Sequence, residues 1–160
     1  MSKFDQERYE KARNKAHNFF EENRKIWSAS LGEVILNSDG FMHLVNKNGK
    51  HKRDWKNQVK RFELLDYLIL ALEGMKFYQE YQKLHQPIKV KRNKTTLLEF
   101  KEVQYWSFIA VIKDKIRIKV ILKKTGNGNL IFWSIVPGWK LKGYKEFKKI
   151  VLSKGDPEND

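Results

Sequence analysis

Ile116-Arg117-Ile118-Lys119-Val120-Ile121-Leu122-Lys123 is read as the middle strand of a three-strand meander running from Tyr105 to Pro137. Successive strand side chains point to opposite faces, so Ile116, Ile118, Val120 and Leu122 enter a core while Arg117, Lys119 and Lys123 line the other side. Three like charges on one strand face repel one another, and the row becomes useful when a polyanion neutralises it. Turns are expected at Lys113-Asp114-Lys115 and at Thr125-Gly126-Asn127-Gly128-Asn129, where Asn127-Gly128 suits a primed hairpin turn. The next strand, Leu130 to Val136, has no plainly polar face: Ile131, Trp133 and Ile135 alternate with Leu130, Phe132, Ser134 and Val136.

Outward from the meander, Tyr9, Ala12, Ala16, Phe19 or Phe20, and Trp27 recur at helical spacing behind a Ser2–Asp5 start signal, predicting an N-terminal helix over 3–27. A short strand from Glu33, a turn at Ser38-Asp39-Gly40 and then a strand or short helix carrying His43 follow, with Asn46–Arg53 as a basic loop. From Asp54 the residues Trp55, Val59, Phe62, Leu65, Ile69, Leu72 and Met75 repeat as one helix face, ending near Gly74 or continuing through Tyr81. Ile88 to Lys94 alternates apolar and basic residues, Thr95–Val103 reads as another strand, and 141–152 as a short amphipathic helix. The reading is a single domain over 1–155 with its core at 33–137 and a frayed tail at 156–160.

A net charge of +14 in 160 residues calls for a polyanionic partner, since self-repulsion of that size opposes compaction. No apolar run is long enough to span a bilayer, so no membrane partner is expected, and the charged N-terminus has no signal core, which reads as cytoplasmic. The absence of cysteine excludes disulfides, thiolate catalysis and thiolate-bound zinc. Basic clusters at Lys47-Lys50-Lys52-Arg53, Lys89-Lys91-Arg92-Lys94 and Lys140-Lys142-Lys145 are interleaved with aromatics. Of these residues Lys50, Lys52, Arg53, Lys91 and Arg92, with Lys123, are the candidate nucleic-acid contacts.

Metal-independent RNA cleavage needs a base for the 2′-hydroxyl proton, an acid for the leaving oxygen and fixed cations on the phosphorane. His43, beside a turn and among Phe41, Leu44 and Val45, and His51, in a basic loop, are the candidate proton carriers; His17 and His85 lie in charge-rich surface stretches. Arg117 offers a planar fork for two phosphate oxygens, Lys119 or Lys123 a compact charge, and Ser134 a hydroxyl. Asp39, Glu63, Asp66, Glu99 and Glu102 form no convincing carboxylate pair, and no metal pattern or cofactor motif is present.

The order of these pieces, from Ser38-Asp39-Gly40-Phe41-Met42-His43 through His51 and the long helix to Ile116–Val120 and Phe132–Ile135, resembles the phage-type branch of the barnase, EndoU, colicin and RelE-like (BECR) ribonucleases over about residues 33–137. Asp39 departs from the basic residue expected in that turn, and His43 and His51 are spaced more widely than usual. The resemblance implies an α+β fold, a curved antiparallel sheet of about four to five strands packed by the N-terminal and central helices. It further implies a toxin-type endoribonuclease of a bacterial or phage conflict system that needs no metal or cofactor. His43, His51, Arg117, Lys119 and Ser134 would be catalytic, single-stranded RNA or tRNA the substrate, and an acidic antitoxin or inhibitor a partner. The same charge also suits a non-catalytic RNA- or DNA-binding protein, or a basic interaction protein with an acidic partner.

Overall fold

The computed structural model describes residues 1–47, 50–112, 116–138 and 158–160, together with the backbone of 151–152. Helix α1 (Lys3–Glu22) begins with a capping box, in which the Ser2 hydroxyl accepts from the Asp5 amide and the Asp5 carboxylate accepts from the Ser2 amide. It stops short of the expected residue 27. Asn23 caps it, its side chain donating to the Phe19 carbonyl, and the chain becomes β1 (Lys25–Ser28), paired antiparallel with β2 (Gly32–Ile35). Ile26 is buried there while Trp27 is 62% exposed, so strand alternation replaces the helical spacing that Trp27 had seemed to extend.

Helix α2 (Ser38–Val45) carries His43, β3 (Asn46–Lys47) and β4 (His51–Lys52) form a small hairpin, and α3 (Trp55–Leu64) passes through a 3₁₀ turn into α4 (Leu68–Gly74). The remaining strands are β5 (Glu80–Arg92), β6 (Thr95–Ile112), β7 (Ile116–Thr125), β8 (Ile131–Pro137) and β9 (Val151–Leu152). The fold is α+β. Among the described residues its large sheet has seven strands in the order β1-β2-β8-β7-β6-β5-β9, rather than four to five, and it is mixed, because β2–β8 and β5–β9 are parallel contacts. Val151–Leu152 are strand; the rest of the helix expected over 141–152, the cluster Lys140-Lys142-Lys145 and the turn at 113–115 lie outside the described residues.

The meander is β6–β7–β8. Its first face, with Phe108, Ala110, Ile118, Val120, Leu122, Phe132 and Ile135, packs under α1, α2, α3 and α4 in the main core. The second face carries Val103, Tyr105, Ile121 and Val136 as a smaller cluster, with Trp133 against it. A β-bulge lies between these strands: Ile121 pairs with Ser134 but Leu122 pairs with Phe132, leaving Trp133 as the extra residue of β8. The bulge resolves the mixed parity of this strand, since Phe132 and Ile135 face the core while the consecutive Trp133 and Ser134 both belong to the second face.

Between Gln86–Arg92 of β5 and Thr95–Lys101 of β6 the sheet narrows to a two-stranded arm. Asn93 and Lys94 close it with φ of 49° and 65°, the backbone of a primed turn. The turn expected at Asn127-Gly128 instead has its positive φ at Gly126, at 54°.

Candidate active site

Three side chains reach the second face from around β8. Helix α2 approaches β8 so closely that a Cβ on Gly40 would lie 2.2 Å from the Phe132 carbonyl oxygen, and this approach sets His43 against Trp133, with ring centroids 4.1 Å apart and planes at 26°. Arg53, just after β4, donates from Nε to the His43 carbonyl at 3.2 Å and from Nη2 toward His43 Nε2 at 3.4 Å. A guanidinium only donates, so the Nε2 lone pair faces it and the hydrogen of the neutral ring sits on Nδ1. Gln58 holds the Arg53 carbonyl at 2.6 Å and is itself held by Tyr9 at 2.8 Å, tying the segment to α1 and α3.

Arg61, on α3, is fully buried. Its Nε donates to Asn57 Oδ1 at 2.8 Å, and Nη1 donates to Ser134 Oγ at 2.8 Å and to the Ile135 carbonyl at 3.3 Å. Nη2 is buried with no hydrogen-bond partner among the described residues. From the strands come Lys119, whose Nζ lies 2.9 Å from Glu80 Oε2, and Lys123, whose Nζ stands 3.8 Å from the Trp133 ring centre and 5.6 Å from that of Tyr105.

The centre of this cluster is filled by Asp160. Its main-chain oxygen accepts from Arg61 Nη1, from Ser134 Oγ at 2.8 Å and from Arg53 Nη2 at 3.5 Å, while its Oδ2 accepts from Lys119 Nζ at 2.9 Å. Residues 158–160, expected as part of a frayed tail, thus lie against the site, while 156 and 157 lie outside the described residues. The two oxygens of Asp160 meet donors from α3, β8 and β7, which are groups able to bind the oxygens of an anion.

The electrostatics are those of four cations gathered at a site shielded from water. Burial, then Arg53, Arg61 and Lys123, push His43 from 6.5 down to about 3, so the ring is neutral at physiological pH. Burial and Arg53 bring Arg61 down to about 9, against the opposing pull of Asp160, and it stays protonated at neutral pH. Burial lowers Arg53 and Lys123 as well, partly offset by Asp160 for the first and by Glu158 and Asp39 for the second.

Of the expected catalytic residues, His43, Lys119 and Ser134 come together. Lys119 does so from a buried position, 1% exposed, not from an open cationic face. His51 stands exposed on the β3–β4 hairpin with Lys50 and Lys52, and among the described residues it has no hydrogen bond or ion pair into the cluster. Arg117 shares the second face of β7 but is half-exposed near its start, opposite Val111; the guanidinium that meets Ser134 belongs to Arg61. Arg53 and Lys123, expected as outer nucleic-acid contacts, are inside the site, whereas Lys91 and Arg92 are exposed on the arm, Arg92 paired with Glu99 at 2.7 Å. The sequence reading missed Arg61, Trp133, Glu80 and Asp160. A signal existed for Arg61, because Gln58, Arg61, Leu65 and Leu68 follow helical spacing and mark a polar patch on an inward stripe.

Among the described residues no group of three or more His, Asp or Glu is arranged to hold a metal ion, and no helix is long and apolar enough to cross a membrane. Comparison with family models, curated proteins and solved structures finds no match to this chain.

Proposed function

We propose that the protein is a metal-independent endoribonuclease of BECR type, cleaving RNA by attack of the 2′-oxygen on phosphorus. The observation that carries this reading is the convergence of Arg61 Nη1, Ser134 Oγ and Lys119 Nζ on the oxygens of one residue, Asp160. Donors fixed in a buried site stabilise charge on a phosphorane without reorganising when it forms. In the reaction, the 2′-oxygen bonds to phosphorus as the 5′-oxygen leaves, giving a 2′,3′-cyclic phosphate; one proton leaves the 2′-hydroxyl and one reaches the 5′-oxygen. His43 is the proton carrier, and Arg53 orients its ring. A bound diester raises the proton affinity of His43 by placing negative charge beside a ring that now faces three cations. Trp133 is held between His43 and Lys123 and fixes the spacing of the proton carrier from that cation.

Incubation of the purified protein with total RNA in chelator, with end-group analysis for 2′,3′-cyclic phosphate, tests the reading. Ser134→Ala and Arg61→Ala are expected to lower kcat by about 100-fold or more, the scale for losing one fixed donor. Intact RNA after incubation with the folded wild-type protein overturns it. The second reading is a non-catalytic RNA-binding protein, and the observation favouring it is that Arg53 already faces the Nε2 lone pair of His43. Retention of RNA without turnover, unaffected by His43→Gln, selects it.

A further inference from the structure

We propose that Glu158–Asp160 is an internal competitor for the cationic pocket, a pseudo-substrate that nucleic acid must displace before it reaches Arg61, Lys119 and Ser134. The inference rests on the phosphate-site reading above and adds how that site is regulated.

Three consecutive residues are anchored by side chains from separate elements. Glu158 Oε2 accepts from Gln86 Nε2 of β5 at 3.3 Å, and the Asn159 carbonyl accepts from Arg53 Nη2 at 3.2 Å. Asp160 then places its main-chain oxygen on Arg61 and Ser134 and its carboxylate on Lys119. No apolar side chain is present in Glu158-Asn159-Asp160 to drive this burial, so charge and hydrogen bonding hold the segment in place.

The fit is incomplete in a way that makes the segment displaceable. Arg61 Nη2 remains buried without a hydrogen-bond partner among the described residues even with Asp160 seated. A buried donor left unmade is costly, and a tetrahedral phosphate has further oxygens to offer it. The charge balance points the same way: Glu158, Asp160, Glu80 and Asp39 face Arg53, Arg61, Lys119 and Lys123, so departure of the segment removes two of the four anions and leaves a net positive site for a polyanion to neutralise. An intramolecular occupant of this kind lowers the apparent affinity for any competing ligand by the fraction of molecules in which the site is open.

The test measures inorganic phosphate binding by calorimetry to the full chain, to a variant lacking Glu158–Asp160, which removes the main-chain oxygens from Arg53, Arg61 and Ser134, and to Asp160→Lys, whose reversed charge repels Arg61 and Lys119. Both variants are expected to bind phosphate about tenfold more tightly and to show a correspondingly lower KM for RNA. Unchanged phosphate affinity in both overturns the inference. Tighter phosphate binding with no RNA cleavage by any form leaves the internal competitor standing and removes the ribonuclease reading. Cleavage of RNA with identical KM and phosphate affinity in all three forms does the reverse.

Discussion

His43 is buried against Trp133 under three cations, and both influences oppose its protonated form. Its pKa in the folded protein is about 3 against 6.5 when exposed, so between those values the unfolded chain holds the extra proton. The stability associated with neutral His43 is therefore complete above pH 6.5 and is lost progressively as the pH falls toward 3, at up to about 1.4 kcal/mol per pH unit. Urea unfolding of the wild type and of His43→Gln across this range should show a shallower acid dependence in the variant; parallel curves would refute the assignment. The grouping of His43, Lys119 and Ser134 was legible at this level, because the sequence marked all three and the fold brings them to one cluster. Their depth was not. Alternation along β7 assigns Lys119 to a side of the sheet, but whether that side meets solvent depends on Asp160 and Glu80, which are distant in the chain.

Helix α2 works as the mount for His43, and Gly40 is the point where it touches β8. Alanine at this position brings a methyl group to 2.2 Å from the Phe132 carbonyl oxygen, a backbone contact that cannot yield by rotamer change. Gly40→Ala is expected to cost about 1–3 kcal/mol by denaturant titration. It should also alter tryptophan fluorescence as His43 draws away from Trp133; an unchanged midpoint and spectrum would show that α2 has room. The arm formed by β5 and β6 is a separate device. It carries Lys89, Lys91, Arg92, Lys94 and Lys101 against Glu99, and it exposes Leu98 (66%) and Phe100 (78%). Lys89→Ala/Lys91→Ala should weaken RNA binding and reduce the slope of log K against log salt by about 0.7 per lost contact, leaving kcat at saturating RNA unchanged. The meander and the helix from Trp55 were readable because each repeats one period over many residues. Strand β1 was hidden, since Ile26 and Trp27 follow a helical pattern closely enough to continue it, while β2 was read as the short strand from Glu33, and β5 and β6 were read in pieces because most of the arm touches only its own partner strand.

The net charge of +14 is distributed unevenly in its consequences. Part of it lies in the exposed hairpin and arm, and part is confined in the buried cluster of Arg53, Arg61, Lys119 and Lys123. Exposed charges act through a screened field, whereas the buried group acts through contact. RNA association measured by fluorescence anisotropy should therefore weaken by roughly a thousandfold from 50 to 200 mM salt if about six phosphates are engaged. Inorganic phosphate in the central pocket should respond far less; equal salt sensitivity would mean that the two populations of charge are not separate. Composition alone gave the excess of cations, but it could not divide them between the exposed arm and the interior cluster, because that division is made by packing.

The extra residue in β8 has a further consequence. Without Trp133 the strand would return to strict two-residue phase with Phe132 and Ile135 still facing the core and Ser134 and Val136 the second face, so the bulge adds one ring to that face without shifting its neighbours. A single-codon deletion there would therefore take away the ring that packs on His43 and Lys123 while leaving the pairing of β7 with β8 in phase, separating the role of that ring from the integrity of the sheet.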